Sequence, residues 1–290
     1  MRPELSIVIP AYNEEARLGP TLQAVCEYCV GRELAFEILV VDDGSSDGTR
    51  EIAARYGGHW TRVLVLAENR GKGAAVREGV LAARGDRILV TDADLSTPIA
   101  DLERLERALA PETVVIGSRR TEASTIVRAQ PIFRRWMGEC FRWVVRVAGV
   151  RGIEDSQCGF KLFDRETAHL LFGNMITEGF AWDVELLWLA QREGFEIFEV
   201  GVRWRDSTDS RVQPFRDSVR MLREIVRFRL SHGNAAIRRP KAVQPLTEVA
   251  SGSRNPRDIK SFSSPRSSHF DWPEYRRRPG SALPIHKRRR

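Results

Sequence analysis

The sequence predicts one α/β domain on a mainly parallel sheet with flanking helices, followed by a tail that builds no core. Three observations predict it. Short apolar runs alternate with helical patterns up to about residue 232; polar clusters follow the apolar runs; and the composition changes at Gly233. The expected division is therefore a domain over 1–232 and a disordered Pro/Ser/Arg-rich tail over 233–290.

Leu5–Ile9, Phe36–Val41, Arg62–Leu66, Arg87–Thr91 and Thr113–Gly117 read as five strands, because each is a short apolar run bounded by polar or turn residues. Asn13, Glu14 and Glu15 start a first helix, whose Leu18, Leu22, Val25, Cys26 and Cys29 share one face. Asp47 caps a second helix through Tyr56, a third runs from Gly73 to Ala83, and Pro98 opens a fourth. Beyond Gly117 the pattern gives a helix near Pro131–Val147, a strand at Phe160–Phe163 and a helix at Ala181–Glu193. A strand at Phe195–Val202 and a last helix after Pro214 complete it.

The chain has 290 residues, 42% of them apolar, which excludes a wholly disordered protein. No apolar run reaches the ~18 residues of a membrane span. The first apolar run starts at Leu5, leaving no room for a signal peptide, and four scattered cysteines give no disulfide framework, so a reduced, cytoplasmic setting is expected. Cys26 and Cys29 fit core residues better than a redox pair. The formal net charge of +7 is uneven. Gly233–Arg290 holds 14 basic and four acidic residues, whereas the rest holds 32 basic and 35 acidic. The body thus offers no basic nucleic-acid face, and the tail's Arg276–Arg278 and Lys287–Arg290 read as solvated charge.

In an open α/β sheet, ligands bind at the carboxyl ends of the strands. Tyr12-Asn13-Glu14, Asp42-Asp43, Asn69-Arg70-Gly71-Lys72-Gly73 and Asp92-Ala93-Asp94 all fall there and would form one site. In an extended segment Asp92 and Asp94 would point the same way and share a hard cation, Mg²⁺ or Mn²⁺. A carboxylate pair at Asp42-Asp43 is costly unless a ligand uses it. The turn 69–73 is no P-loop, but its glycines before a helix suit an anion. Around Pro131–Ala148, Arg135, Glu139, Arg142 and Arg146 oppose Trp and Phe residues. That pattern fits a membrane-surface helix or a helix packed on the sheet, about equally.

These motifs, in this order, resemble the family-2 glycosyltransferases of the GT-A (Rossmann-like) fold, and most of all their dolichyl- or polyprenyl-phosphate branch. Ile9-Pro10-Ala11-Tyr12-Asn13-Glu14, Val40–Thr49 and Gly117-Ser118-Arg119 carry the likeness. Ser156-Gln157-Cys158-Gly159-Phe160-Lys161-Leu162-Phe163 and Trp182-Asp183-Val184-Glu185 are similar to its glucosyl members. The resemblance covers about Leu5 to Leu230. It implies that Pro10, Tyr12, Glu14, Asp43 and Lys72 hold the base and ribose of a sugar nucleotide, with Gln157 and Asp183 also at the donor. Asp92 and Asp94 would hold the metal and diphosphate, and Arg119 and Arg134 the acceptor phosphate; Asp94, Arg119 and Arg134 are then the catalytic candidates. Two positions depart from the family: Ser96 replaces a Gln usual in mannosyl members, and Asp209-Ser210-Arg211 replaces Gly-Ser-Lys.

The expected reaction is inverting transfer of a sugar, glucose from UDP-glucose, onto a polyprenyl or dolichyl phosphate by an enzyme peripheral on the inner, cytoplasmic membrane face. A lipid phosphate is already ionised and needs cations rather than a base. A soluble transferase with a hydroxyl acceptor, using Asp183 or Glu185 as base, is the nearest rival. A nucleotidyltransferase lacks the motif order, and a nucleic-acid-binding protein would rest on the tail alone.

Overall fold

A computed structural model describes residues 2–56, 58–121, 124–128, 145–146, 148–205, 214–233 and 248–249. The strands β1 (Leu5–Ala11), β2 (Phe36–Asp42), β3 (Thr61–Val65) and β4 (Arg87–Val90) run parallel in the spatial order β3-β2-β1-β4. The connections reverse direction between β1 and β4, so a crevice opens there at the carboxyl ends. Beyond them come β5 (Thr113–Ser118), β6 (Thr125–Arg128), β7 (Lys161–Asp164), β8 (Glu196–Gly201), β9 (Arg203–Arg205) and β10 (Glu248–Val249). The main sheet reads β10-β3-β2-β1-β4-β7-β5-β8, and β6 pairs with β9 apart from it.

The expected mainly parallel α/β sheet is present. Its interior exception is β7, antiparallel to both β4 and β5. β10 runs antiparallel along β3, pairing Glu248 with Leu64. The rest of the tail and most of the helix expected at Pro131–Val147, including Arg134 and Arg135, lie outside the described residues.

The helices along the described residues are α1 (Glu15–Gly31), α2 (Thr49–Tyr56), α3 (Lys72–Ala82), α4 (Leu102–Glu106), α5 (Arg165–Asn174), α6 (Trp182–Glu193) and α7 (Pro214–His232). They cover both sheet faces, which is why the strands are apolar on both sides. Ile7, Ile9, Ile38, Val40 and Leu89 pack with α1, α2 and α4. Val8, Leu39, Val41, Ile88 and Val90 pack with α3, α5, α6 and α7. Cys26 and Cys29 are buried in the first of these cores, where burial pushes both thiols up to about 12.

Several elements differ from the sequence reading. Helix α1 begins at Glu15 as the Asn13-Glu14-Glu15 start implies, but Asn13 lies outside it at φ 54°, its side-chain oxygen accepting from the Ser46 backbone N–H at 2.8 Å. The helix after Pro98 is a 3₁₀ turn, Ile99–Asp101, followed by the short α4. Helix α5 was not anticipated, although Asp164 marks its start by accepting from Thr167 N at 3.0 Å. Among the described residues, no helix is long and apolar enough to cross a membrane.

Candidate active site

The loops after β1 and β2 are laced together. Asn13 N–H donates to Ser45 Oγ at 2.8 Å, and Glu14 N–H to Thr49 Oγ1 at 2.7 Å. Asp47 accepts from Thr49 N at 3.0 Å and from Glu15 N at 3.3 Å, so it serves the starts of two helices. The Asp42-Asp43 pair is compensated from within the protein, which corrects the view that only a ligand could use it. Asp42 is fully buried, and accepts from Ser45 N and from Arg50 Nε at 2.5 Å. Asp43 accepts from Arg70 N and Gly71 N, each at 2.8 Å. Burial still pushes the Asp43 carboxyl above the usual range, those two N–H donors notwithstanding. Asp43 thus moors the turn that leads into α3.

That turn needs its glycines. Gly71 has φ 114°, and a Cβ there would lie 2.6 Å from the Glu178 carbonyl oxygen. A Cβ on Gly73 would lie 2.6 Å from the Thr177 oxygen and 2.8 Å from Trp182 Cβ. Ala74 N–H donates to the Glu178 carbonyl at 3.0 Å. The loop before α6 therefore lies directly against the turn, and Lys72, the first residue of α3, is directed across to β4. Lys72 Nζ donates to Asp92 Oδ1 at 2.6 Å. Burial opposes its charge, but Asp92, Asp183 and Asp94 outweigh that and raise the ammonium to about 12.

Asp92-Ala93-Asp94 is a turn rather than an extended segment, because β4 already ends at Val90. Leu95 N–H closes on the Asp92 carbonyl at 3.3 Å, Leu95 takes φ 44°, and Thr21 Oγ1 donates to the Ala93 carbonyl at 2.6 Å. Asp94 accepts from Ser96 N at 2.9 Å and lies 3.9 Å from Arg17 Nη1. Arg17 in turn makes two 2.6 Å bonds to Glu14. Burial would raise the Asp92 carboxyl; Lys72, Lys161 and Arg119 prevail and hold it below the usual range.

Asp92 is backed by Gly159, where a Cβ would come within 2.2 Å of Asp92 Oδ2. Gly159 belongs to the segment leading into β7, and the reversed direction of that strand brings its first residue, Lys161, to the carboxyl ends of β4 and β5. Lys161 is opposite Val90 and Ile116 and is fully buried. Its Nζ donates to the Cys158 carbonyl at 2.5 Å and to Asp183 Oδ1, and lies 5.0 Å from the centre of the Trp182 ring. Burial raises the Asp183 carboxyl, against the opposing pull of Lys161 and Lys72. Lys161 was missed as a site residue from sequence; its signal was a lone lysine inside an apolar strand.

Arg119 is held by Asp155. Its backbone N donates to Asp155 Oδ2 at 2.8 Å, and its Nε and Nη2 reach the two carboxylate oxygens at 2.7 Å each. The guanidinium also lies 5.3 Å from the centre of the Trp204 ring. Burial notwithstanding, the pair drives the Asp155 carboxyl down and the Arg119 guanidinium up. Asp155 itself is fixed by Glu199, which accepts from Glu154 N and Asp155 N at 2.9 Å.

The structure thus gathers Lys72, Asp92, Asp94, Asp183 and Arg119 around one crevice. Tyr12 is exposed at its edge, Pro10 is half-buried, and Gln157 is exposed. Glu185 is not at the reacting edge. It is fully buried, accepts from Ile176 N and Thr177 N, and is bonded to His232 Nε2 at 2.6 Å. Among the described residues, no group of three or more His, Cys, Asp or Glu is placed to hold a metal ion. Two hard carboxylates, Asp92 and Asp94, nevertheless suit Mg²⁺ or Mn²⁺, which bind through one or two carboxylates plus substrate phosphates.

Known proteins resemble this chain in sequence and in fold. A family model described as Glycosyl transferase family 2 matches residues 6–168. The dolichyl-phosphate beta-glucosyltransferase of Mus musculus is 38% identical over 81% of this chain and 78% of its own. That of Drosophila melanogaster is 41% identical over 77% and 73%, and that of Saccharomyces cerevisiae 34% over 79% and 75%. Among solved structures, the glucosyl-3-phosphoglycerate synthase from Mycobacterium tuberculosis, in complex with Mn²⁺, UDP-glucose and phosphoglyceric acid, superposes with a TM-score of 0.59 at 20% identity, covering 79% of each chain. The mannosyl-3-phosphoglycerate synthase from Rubrobacter xylanophilus gives 0.56 at 21%, covering 82% of this chain and 78% of its own. The fold is GT-A, the chain is a glycosyltransferase, and it belongs to glycosyl transferase family 2.

Proposed function

We propose that the protein transfers glucose, with inversion, from UDP-glucose to a dolichyl or polyprenyl phosphate at the cytoplasmic face of a membrane. The names of the relatives support the acceptor, and the chain spans most of their length. The observation that carries the reading against a hydroxyl acceptor is the state of the two carboxylates at the start of α6. Asp183 is neutralised by Lys161, and Glu185 is taken up by two backbone N–H groups and His232. A hydroxyl acceptor needs a base to remove its proton. A phosphate oxygen does not.

In this reaction a phosphate oxygen of the acceptor attacks the anomeric carbon from the face opposite the diphosphate. The bond from that carbon to the diphosphate oxygen breaks, and UDP departs with the electron pair. One displacement inverts the centre. Lys72 sits beside Asp92 and faces the developing negative charge of the leaving group, while Asp92 and Asp94 would hold the Mg²⁺ or Mn²⁺. When bound, that ion supplies charge neutralisation to the diphosphate. Pro10, Tyr12, Glu14 and Gln157 line or border the donor side, and Asp43 acts there through the turn it moors. Arg119 and Arg134 serve the acceptor phosphate.

The test is a radiolabelled-sugar assay with UDP-glucose and GDP-mannose, each with and without dolichyl phosphate. Organic-soluble labelled product only with UDP-glucose and dolichyl phosphate supports the reading. Transfer to water-soluble alcohols alone, or preference for GDP-mannose, overturns it.

A further inference from the structure

We propose that the outward face of α7 is a docking surface for an anionic lipid bilayer. One side of this helix is used up. Met221, Ile225 and Phe228 are buried, the Phe228 ring lies 5.7 Å from Trp188, and Glu224 accepts from Ala181 N at 3.1 Å. The opposite side is open: Val219, Leu222, Val226 and Leu230 are 40%, 48%, 51% and 78% exposed. At 100° per residue these four fall within an arc of about 80°. Exposed Arg223 and Arg227 border that arc on one side, and exposed Arg229 on the other.

The remaining exposed large apolar side chains among the described residues are Tyr12, Val30, Ile176 and Phe180. Ile176 and Phe180 sit on the loop against which α7 packs. That same loop roofs the turn before α3, since Ala74 N donates to Glu178 O. A bilayer touching α7 would therefore lie one layer of structure away from Lys72.

The basic border decides the occupant. Aliphatic side chains flanked by arginines match an acyl boundary beneath anionic headgroups. A second copy fits less well: a two-fold contact repeats the same patch on both partners, so Arg223 and Arg227 would approach their own counterparts. Four aliphatic side chains also fall far short of the ~800 Å² per partner of a stable interface. The inference rests on the lipid-phosphate acceptor reading for its purpose, and on the helix face for its location.

Flotation of the full chain with vesicles decides it, using phosphatidylcholine alone or mixed with phosphatidylserine and no dolichyl phosphate in either. The parent protein should float with the anionic vesicles. Leu222→Glu/Val226→Glu and, separately, Arg223→Glu/Arg227→Glu should each lower the partition coefficient, on the order of tenfold. Circular dichroism and UDP titration check that each variant is folded; if the glutamate pair at 222 and 226 unfolds, the arginine pair decides alone. Parent-like partition of the folded variants overturns the proposal. So does a parent dimer in sedimentation that Leu222→Glu/Val226→Glu dissolves, since a second copy then owns the face. Vesicle binding without sugar transfer to dolichyl phosphate leaves the docking face standing and removes the acceptor reading instead.

Discussion

Lys161 and Asp183 form an ion pair in which the lysine side chain is wholly buried and the aspartate nearly so. The lysine comes from an antiparallel strand and the aspartate from the first turn of α6, so the pair ties the sheet to the helix layer at the reacting edge. Replacing Lys161 by Met keeps its length but leaves Asp183 buried without its cation. The expected cost is about 3–5 kcal/mol of stability, read as a lower urea midpoint. A double variant, Lys161→Met with Asp183→Leu, should recover much of that stability and none of the turnover. An unchanged midpoint for Lys161→Met would show that the pair is not formed.

Gly159 tests the backing of Asp92 without touching a charge. Gly159→Ala places a methyl 2.2 Å from Asp92 Oδ2, so the carboxylate must move. A displacement of about 1 Å at the chemistry can cost ~10²-fold in rate. The expected result is a fall in kcat of that order with a near-parental melting temperature. Parental kcat would mean that Asp92 is free to settle elsewhere.

If Asp94 serves the metal and diphosphate as proposed, Asp94→Ala should remove turnover by ~10²-fold or more while the fold persists. Steady-state kinetics with Mg²⁺ and Mn²⁺ titrations measure it. Full activity of the variant, or of the parent in excess chelator, would remove Asp94 from the metal site.

Asp155 gives a pH prediction. Its carboxyl is held below its ordinary value by Arg119, so it binds its proton later in the folded than in the unfolded state. The stabilisation is therefore complete above the unfolded carboxylate pKa of about 3.9 and is lost as pH falls through the lower folded value. Unfolding free energy of the parent should drop more steeply below about pH 4 than that of Asp155→Asn. Parallel acid limbs for the two proteins would contradict the pair. At neutral pH the same variant frees Arg119, and acceptor KM should rise with donor affinity nearly unchanged.

Much of the sheet was legible because its strands are short, apolar and punctuated by polar clusters. Ile7–Ile9, Ile38–Val41 and Ile88–Val90, too short for helices and bounded by polar clusters, read as strands buried on both faces. The gathering of Lys72, Asp92 and Asp94 followed from the rule that ligands sit at strand ends. What stayed hidden depends on contacts far apart in sequence. Arg119 meets Asp155 across 36 positions, and Lys161 meets Asp183 across 22; no local period reports either. The end of β4 was read within one residue, but the turn at Asp92–Leu95 was taken as extended because one of its ties, from Thr21 to the Ala93 carbonyl, comes from 72 positions away. Helix α5 was missed for a different reason. Its start signal, Asp164 before Thr167, directly follows an apolar strand and leaves no loop to announce it.

The reversed direction of β7 sets a rule for insertions and deletions. Asp155 is fixed by Arg119 and Glu199, Gly159 by Asp92, and Lys161 by its register with Val90. A one-residue change in length between Asp155 and Lys161 would slide β7 and exchange its two faces, turning the ammonium out of its cage and an apolar side chain into it. The segment's length is therefore fixed from both ends, and drift in the gene should leave it the same number of codons long.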